Sequence, residues 1–271
     1  GPMGAMNATS RVSPGGGLAG RRRRTATGLL DAWLPASCIV CDRPRSDRLC
    51  DDCEAALPGV RAARCPRCGL ALPGRGTAAQ ARCAACDDDP PAFAATVVLA
   101  DYAAPLDRLV HALKFGRDAS LARPLGHALA QRLAFAWARC PPPLVTAIPL
   151  STARLAERGF NQSLEIARAL ARAQRLPLDH RLLLRTRSGA PAATLHAAER
   201  RSALAGAFAT PRPLAGHAVI VVDDVMTTGA TLRAAAEALR DAGSGPVINC
   251  VVARTPQSDA SRDRQRRPGP S

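Results

Sequence analysis

Lysine is almost missing from this chain of 271 residues: Lys114 stands alone among 37 basic residues, and the others are all arginine. Aromatic residues are nearly as scarce, at 3% of the chain with one Tyr and two Trp. Non-specific capture of single-stranded nucleic acid relies on rows of rings lining a basic groove, and so scattered a set of rings argues against such a platform. No apolar run approaches the roughly 20 residues that span a bilayer as a helix, so the sequence offers no membrane span. Acid is in deficit too: 22 Asp and Glu leave a formal charge of +15. That excess suits a polyanionic partner. Much of it sits at the two ends, however, and the skew from lysine to arginine fits a bias in nucleotide usage better than selection for DNA binding.

The ends lack apolar clusters. Residues 1–24 are rich in Gly, Ser and Pro and close on Arg21–Arg24, which predicts a disordered basic tail. The opening Gly-Pro-Met-Gly-Ala-Met reads as an expression remnant and is set aside. A second disordered basic tail is expected over 255–271, with Arg262, Arg264, Arg266 and Arg267. Leu29–Leu34 after the four arginines imitates a signal peptide, but Asp31 interrupts it and a cysteine array follows at once. The expectation is a short amphipathic helix leading into a metal-binding region, 25–90, in a cytoplasmic protein.

Eight of the ten cysteines form Cys-x-x-Cys pairs: Cys38/Cys41, Cys50/Cys53, Cys65/Cys68 and Cys83/Cys86. Two intervening residues let both thiolates of a pair face one tetrahedral ion, and two pairs complete a closed structural zinc site. Two structural Zn²⁺ ions are therefore expected, rather than disulfides, because no convincing secretory signal precedes the array. Sequential pairing, with Cys38, Cys41, Cys50 and Cys53 on one ion, closes the shortest loops; cross-bracing of the first pair with the third is the alternative. Cys250 reads as a buried core thiol, and Cys140 has no evident role.

From Phe93 the pattern is that of a globular α/β domain, expected over 91–254. Strands are predicted at Phe93–Tyr102, Leu144–Pro149, Arg181–Arg185, Val219–Asp223 and Val247–Arg254. Helices are predicted at Pro105–Lys114, Ser120–Arg139, Phe160–Gln174 and Gly229–Ala242. Alternation of this kind gives a mostly parallel sheet flanked by helices, with ligands beyond the strand C-termini.

The most informative stretch is Val219-Ile-Val-Val-Asp-Asp-Val-Met-Thr-Thr-Gly-Ala-Thr-Leu232. A buried strand delivers Asp223 and Asp224 to the C-terminal end of the sheet, and a hydroxyl-rich turn follows that opens a helix. Backbone N–H groups at a helix start hold anions. Thr227, Thr228 and Thr231 add hydroxyl donors, and Gly229 permits close backbone approach. A ligand with phosphate at one end and hydroxyls at the other, a sugar phosphate, fits. A second patch, Ala147–Gln162, again takes a strand into a loop, here carrying Arg154 and Arg158. Forked, permanently charged donors suit pyrophosphate; arginines on a solvated helix face are the other reading.

The run Asp223-Asp224-x-x-x-Thr228-Gly229-Ala230-Thr231 resembles the phosphoribosyl pyrophosphate (PRPP) loop of type I phosphoribosyltransferases. That likeness implies ribose binding by Asp223 and Asp224, and phosphate binding by Thr227, Thr228, Gly229, Ala230 and Thr231. The segment Arg158-Gly-Phe-Asn-Gln162 after a Pro-Leu loop, the cysteine pairs, Tyr102 and Leu113-Lys-Phe-Gly116 are similar to the ComF family, competence-associated proteins on the phosphoribosyltransferase fold. The likeness runs from about Leu29 to Arg254 and implies that Arg154, Arg158, Asn161 and Gln162 line the pyrophosphate side. Lys114, a compact ammonium at the end of a helix, is a further candidate for the phosphates.

The chain departs from the family in 185–204, expected to cover the site, where Ala192 and Ala203 replace Gln and Asn while Arg200 and Arg201 persist. His196 there is either an acid/base group or a surface histidine. Two functions follow. One is Mg²⁺-dependent transfer of phosphoribosyl from PRPP to an acceptor, with Asp223, Asp224, Arg154 and Arg158 as the catalytic set. The other is a non-catalytic PRPP or nucleotide binder in DNA uptake or processing, with single-stranded DNA or a helicase-like protein as partner.

Overall fold

The computed structural model describes residues 37–44, 49–72, 82–133, 141–186, 204 and 206–256. The leading helix, the two basic tails up to residue 24 and from residue 257, Cys140, and residues 187–203 of the expected 185–204 cover, with His196, lie outside the described residues.

Four strands form one all-parallel sheet. In chain order these are β1 (Ala95–Asp101), β2 (Leu144–Ala147), β5 (Val219–Met226) and β6 (Val247–Arg254), and their order across the sheet is β1-β6-β5-β2. Helices connect them: α1 (Asp51–Ala55) and α2 (Ala84–Asp88) in the cysteine region, then α3 (Leu106–Phe115), α4 (Ala122–Arg132), α5 (Thr152–Arg158), α6 (Gln162–Gln174) and α7 (Ala230–Asp241). A short antiparallel pair, β3 (Leu184–Arg185) against β4 (Phe208–Ala209), stands apart from the main sheet.

Both faces of the sheet are covered, which is why β5 and β6 read as continuous apolar runs rather than alternating ones. Along β5, Ile220 and Val222 join Leu106, Val110 and Leu113 of α3, Leu125 and Leu129 of α4, and Ile166 and Leu170 of α6. Val219 and Val221 point the other way, into a core shared with Leu232, Ala235, Ala236 and Leu239 of α7. The period of two along the strand thus divides one apolar run between two cores. Truncating one of the fully buried leucines here costs about 2–5 kcal/mol.

Three elements differ from the sequence expectation. The loop carrying Arg154 and Arg158 is the helix α5: the Ser151 hydroxyl caps its start by accepting the Arg154 N–H at 3.4 Å, and Gly159 ends it at φ 82°. A Ser N-cap followed eight residues later by a left-handed Gly is enough to close two turns. The strand expected over Arg181–Arg185 shrinks to Leu184–Arg185, because Asp179 takes the Arg181 N–H on its carboxylate and the Leu182 N–H on its carbonyl, making a turn. Strand β5 continues three residues past Asp223, since β6 pairs with it as far as Met226 opposite Arg254.

The cysteine region packs directly on the sheet. Cys38 and Cys50 belong to the core on the α3 face, and Cys65, Cys68 and Cys86 to the core on the α7 face. Among the described residues no helix is long and apolar enough to cross a membrane.

Candidate functional site

The acids sit where β5 passes the last residue of its neighbour β2, which pairs with it from Leu144 opposite Val219 to Ala147 opposite Val222. Asp223 and Asp224 have different partners, both supplied by helices on the face of the sheet that carries Ile220 and Val222. The Asp223 Oδ1 accepts the Ser163 hydroxyl at 2.9 Å and the Asp224 N–H at 2.9 Å. The Asp224 carboxylate meets the Lys114 ammonium at 3.0 Å, both side chains being largely buried. Burial, and then the neighbouring Asp224 charge, push the Asp223 carboxyl up to about 7, against the pull of Ser163 and Lys114. A protonation equilibrium that close to neutrality is a mark of functional carboxylates and of packed acid pairs alike.

Lys114 is one end of a contiguous polar row. The adjacent Phe115 ring, about half exposed, lies 5.3 Å below the Arg158 guanidinium. Arg158 donates to Gln162 Oε1 at 3.1 Å, and Gln162 is fully buried beside Ser163, which returns to Asp223. Two donors in this row, Arg158 Nε and Gln162 Nε2, are buried without a hydrogen-bond partner. Each such unmade bond costs about 1–3 kcal/mol, and both atoms are closed off from solvent.

The remaining candidates are arranged as follows. Thr227 and Thr228 are exposed, Gly229 is the N-cap of α7 at φ 82°, and Ala230 and Thr231 begin the helix. The Thr228 hydroxyl accepts the Ala230 N–H at 3.4 Å. Arg154 is exposed, a turn before Arg158 on α5; its charge, after burial, lowers the Arg185 guanidinium from its usual value. Asn161 is tied into the fold: its Oδ1 caps α6 through Leu164 N–H at 3.3 Å, and its Nδ2 donates to the Ile148 carbonyl at 3.0 Å. It ties α6 to the end of β2 and orients Gln162 and Ser163.

Sequence reasoning passed over Ser163, Phe115 and Arg254. Ser163 had a signal: a small polar residue on the first turn of α6 at a position that is buried. Arg254 ends an otherwise apolar strand and is itself buried.

The eight paired cysteines gather as the sequential pairing expects. Cys38, Cys41, Cys50 and Cys53 form one group, and Cys65, Cys68, Cys83 and Cys86 the other, with all sulfurs of a group within 4.8 Å of one another. Cys41 and Cys50 are 3.9 Å apart at sulfur, and Cys68 and Cys83 3.6 Å. A tetrahedral ion with Zn–S of about 2.3 Å needs sulfur separations close to these. Backbone N–H groups already point at the sulfurs, Cys50 to Cys38 at 3.5 Å and Cys83 to Cys65 at 3.4 Å. The Cys83 thiol holds Cys68 down at about 5, while burial pushes Cys86 up to about 12. Such division of charge among crowded sulfurs is what a dication removes. Both groups are consistent with closed structural zinc sites. Cys250, pushed up to about 12 by burial alone, is a core thiol.

Comparison with known proteins bears on both halves. The phosphoribosyl transferase domain family matches residues 120–266, and the double zinc ribbon domain family residues 29–88. The chain is 32% identical over 227 residues to the DNA utilization protein YhgH of Escherichia coli strain K12, covering 82% of this chain and 98% of that protein. The same name and identity hold over 228 residues in Salmonella typhi, with 82% and 98% covered. Among solved structures, the glutamine PRPP amidotransferase of B. subtilis is 24% identical at a TM-score of 0.34, over 50% of this chain and 26% of that one. The purine phosphoribosyltransferase of Pyrococcus horikoshii is 19% identical at 0.28, over 59% and 88%.

Proposed function

We propose, since the chain belongs to the ComF family of phosphoribosyltransferase-fold proteins with a double zinc ribbon, that its sheet-end site binds PRPP and transfers the phosphoribosyl group to an acceptor with release of pyrophosphate. The observation that carries this reading is the joined row Lys114, Phe115, Arg158, Gln162, Ser163, Asp223 and Asp224, with two orphaned donors, beside a helix-opening turn.

In this reading the turn Thr227–Thr231 takes the 5′-phosphate on hydroxyls and on N–H groups at the start of α7. Asp223 and Asp224 accept from the ribose hydroxyls. Arg158 and Gln162, joined by the exposed Arg154, receive the pyrophosphate oxygens, and Lys114 neutralises charge between the two ends. The bond from the ribose anomeric carbon to pyrophosphate oxygen breaks with its electron pair leaving on pyrophosphate. The acceptor supplies the electron pair for the new bond and gives up a proton. Positive charge gathers on the ribose ring in between, and the paired carboxylates are placed to stabilise it. Catalysis is then positioning and electrostatics.

The two acids also suit a magnesium ion: burial, and then the charge of Asp224, raise the Asp223 carboxyl, and a dication would relieve the repulsion between the two. When bound, Mg²⁺ would neutralise pyrophosphate charge from the Asp223–Asp224 side.

Titration calorimetry with PRPP and Mg²⁺ tests the reading. Wild type should give a binding heat that Asp223→Asn/Asp224→Asn abolishes; equal heats would remove the site. Pyrophosphate release across a panel of nucleobases then tests turnover.

A second reading draws on the name of the relatives, DNA utilization protein. There the same site binds PRPP or a nucleotide without turnover, and the protein acts on DNA or with a DNA-processing partner. Binding of single-stranded DNA that weakens with salt and persists without the terminal tails, together with no pyrophosphate release, favours it.

A further inference from the structure

Arg254 closes β6 and is 93% removed from solvent, at 7% exposure. Its guanidinium draws on three separate segments. The Nε donates to the Cys68 carbonyl at 3.1 Å, and the two N–H groups of one terminal nitrogen are shared among the carbonyls of Met226 at 3.1 Å, Thr255 at 3.0 Å and Thr227. The strand register makes this possible, because Arg254 lies directly opposite Met226. Two nitrogens set apart in one plane reach the Cys68 carbonyl on one side and the turn carbonyls on the other; a single ammonium is a point donor and does not span both.

The consequence for the turn follows from peptide geometry. A trans peptide is planar, with its carbonyl and the following N–H pointing in opposite directions. The Met226 carbonyl also accepts the Thr255 N–H at 3.0 Å, so the strand ladder and Arg254 hold it together, whereas the Thr227 carbonyl is drawn by Arg254, which turns the Thr228 N–H away from the guanidinium. That sets the direction in which the start of the hydroxyl turn presents its backbone donors.

At its other end Arg254 reads the position of Cys68, a member of the second four-cysteine group. The knuckle carrying Cys68 is itself fastened to β1. The Thr96 N–H donates to the Pro66 carbonyl at 3.1 Å, the Thr96 hydroxyl to the Arg67 carbonyl at 2.7 Å, and Arg67 to the Phe93 carbonyl at 2.6 Å. Four thiolates on one ion fix where the Cys68 carbonyl points.

We propose that Arg254 is a positioning residue that couples the second cysteine site to the Thr227–Thr231 turn, so that metal at that site sets the backbone of the phosphate cradle. Its effect on ligand affinity rests on the reading of the turn as a phosphate site; its effect on the turn's backbone does not.

The test uses the full chain as wild type, Arg254→Lys, Cys83→Ser and the double variant. It reads zinc content, PRPP affinity in the presence of Mg²⁺, and amide hydrogen exchange without ligand. Arg254→Lys should keep two zinc ions, speed exchange at Thr227 and Thr228 at least tenfold, and weaken PRPP at least tenfold. Cys83→Ser should lose one zinc and produce the same two effects. The double variant should add less than twofold to either, because the link is already cut. Exchange at Val145 and Thr146 of β2 reports global opening: it should stay within twofold in Arg254→Lys, and in Cys83→Ser, where loss of zinc also weakens the core, it should accelerate clearly less than exchange at the turn.

Multiplying effects in the double variant, turn exchange unchanged in Arg254→Lys, or equal acceleration at β2 would each overturn the coupling. If Arg254→Lys does not fold, Cys83→Ser alone decides through turn exchange set against β2. Absence of PRPP binding by wild type overturns the ligand reading, and the exchange data then decide the coupling by themselves.

Discussion

Lys114 and Asp224 approach to 3.0 Å, 110 residues apart in sequence, and bring the chain's one ammonium against the second acid of its acid pair. The contact gives the lone lysine a place that arginine does not fill: the end of α3 comes close enough for a compact charge, while the next residue, Phe115, carries the guanidinium of Arg158.

Lys114→Met leaves Asp224 beside Asp223 without its cation. With both side chains retaining some solvent access, the loss of stability should be about 2 kcal/mol, below the roughly 3–5 of a fully buried pair. Lys114→Arg should recover little of it, because the guanidinium is larger and differently hydrated. Chemical denaturation of the three proteins checks the order, and calorimetry should show PRPP affinity falling at least tenfold in both variants.

The Asp223 carboxyl, raised from 3.8 to about 7, fixes the sign of a pH effect. The folded state holds this proton more tightly than the unfolded chain does. Its contribution is therefore complete below about pH 4 and disappears as pH climbs through about 7. Relative to wild type, Asp223→Asn should lose less stability over that climb, and melting curves from pH 5.5 to 8 read the difference. Ligand binding that requires the ionised acid should run the opposite way, strengthening as pH rises through about 7. PRPP titrations over the same range measure it.

Metal analysis should find two zinc ions per chain, and one in Cys65→Ser or in Cys38→Ser. Both groups lie in the main cores rather than on an appendage, so their loss reaches the whole domain. Removing zinc with a strong chelator should lower the melting temperature by roughly 10 °C or more.

Gly159 and Gly229 share a φ of 82° but differ in surroundings. An added Cβ meets nothing within 4 Å at Gly159, whereas at Gly229 it comes 2.5 Å from the Met226 Cε. Each alanine variant should lose about 1–2 kcal/mol to the left-handed backbone. Gly229→Ala alone should also weaken PRPP, because it moves the N-terminus of α7. Denaturation midpoints and calorimetry separate the two outcomes.

Local chemistry made part of this legible in advance. The apolar run of β6 was bounded by Pro246 and a polar tail, the acid pair and hydroxyl turn spelled a strand-to-helix junction, and the Cys-x-x-Cys spacing pointed to metal. The long-range joins could not be read the same way. Ser163 meets Asp223 across 60 residues and Arg254 meets Cys68 across 186, and each depends on the packing of α6 or on the register of β6 against β5. Helix α5 was missed because seven residues with no buried side chain leave no apolar stripe; only Ser151 and Gly159 marked its ends. Asn161, Gln162 and Arg158 were grouped together, but only the structure separates a residue spent on capping from donors that lack partners.

The stitching of the second cysteine knuckle to β1 has a bearing on solubility. Strand β1 ends the sheet, with β6 on one side only. An open sheet margin offers unpaired N–H and carbonyl groups to any other strand, and so invites aggregation. Here the Pro66 carbonyl takes the Thr96 N–H, and the Pro58 carbonyl takes the Asp101 N–H at 2.7 Å. The metal-binding region thus covers a sticky margin, and a chain starved of zinc during synthesis would leave that margin open.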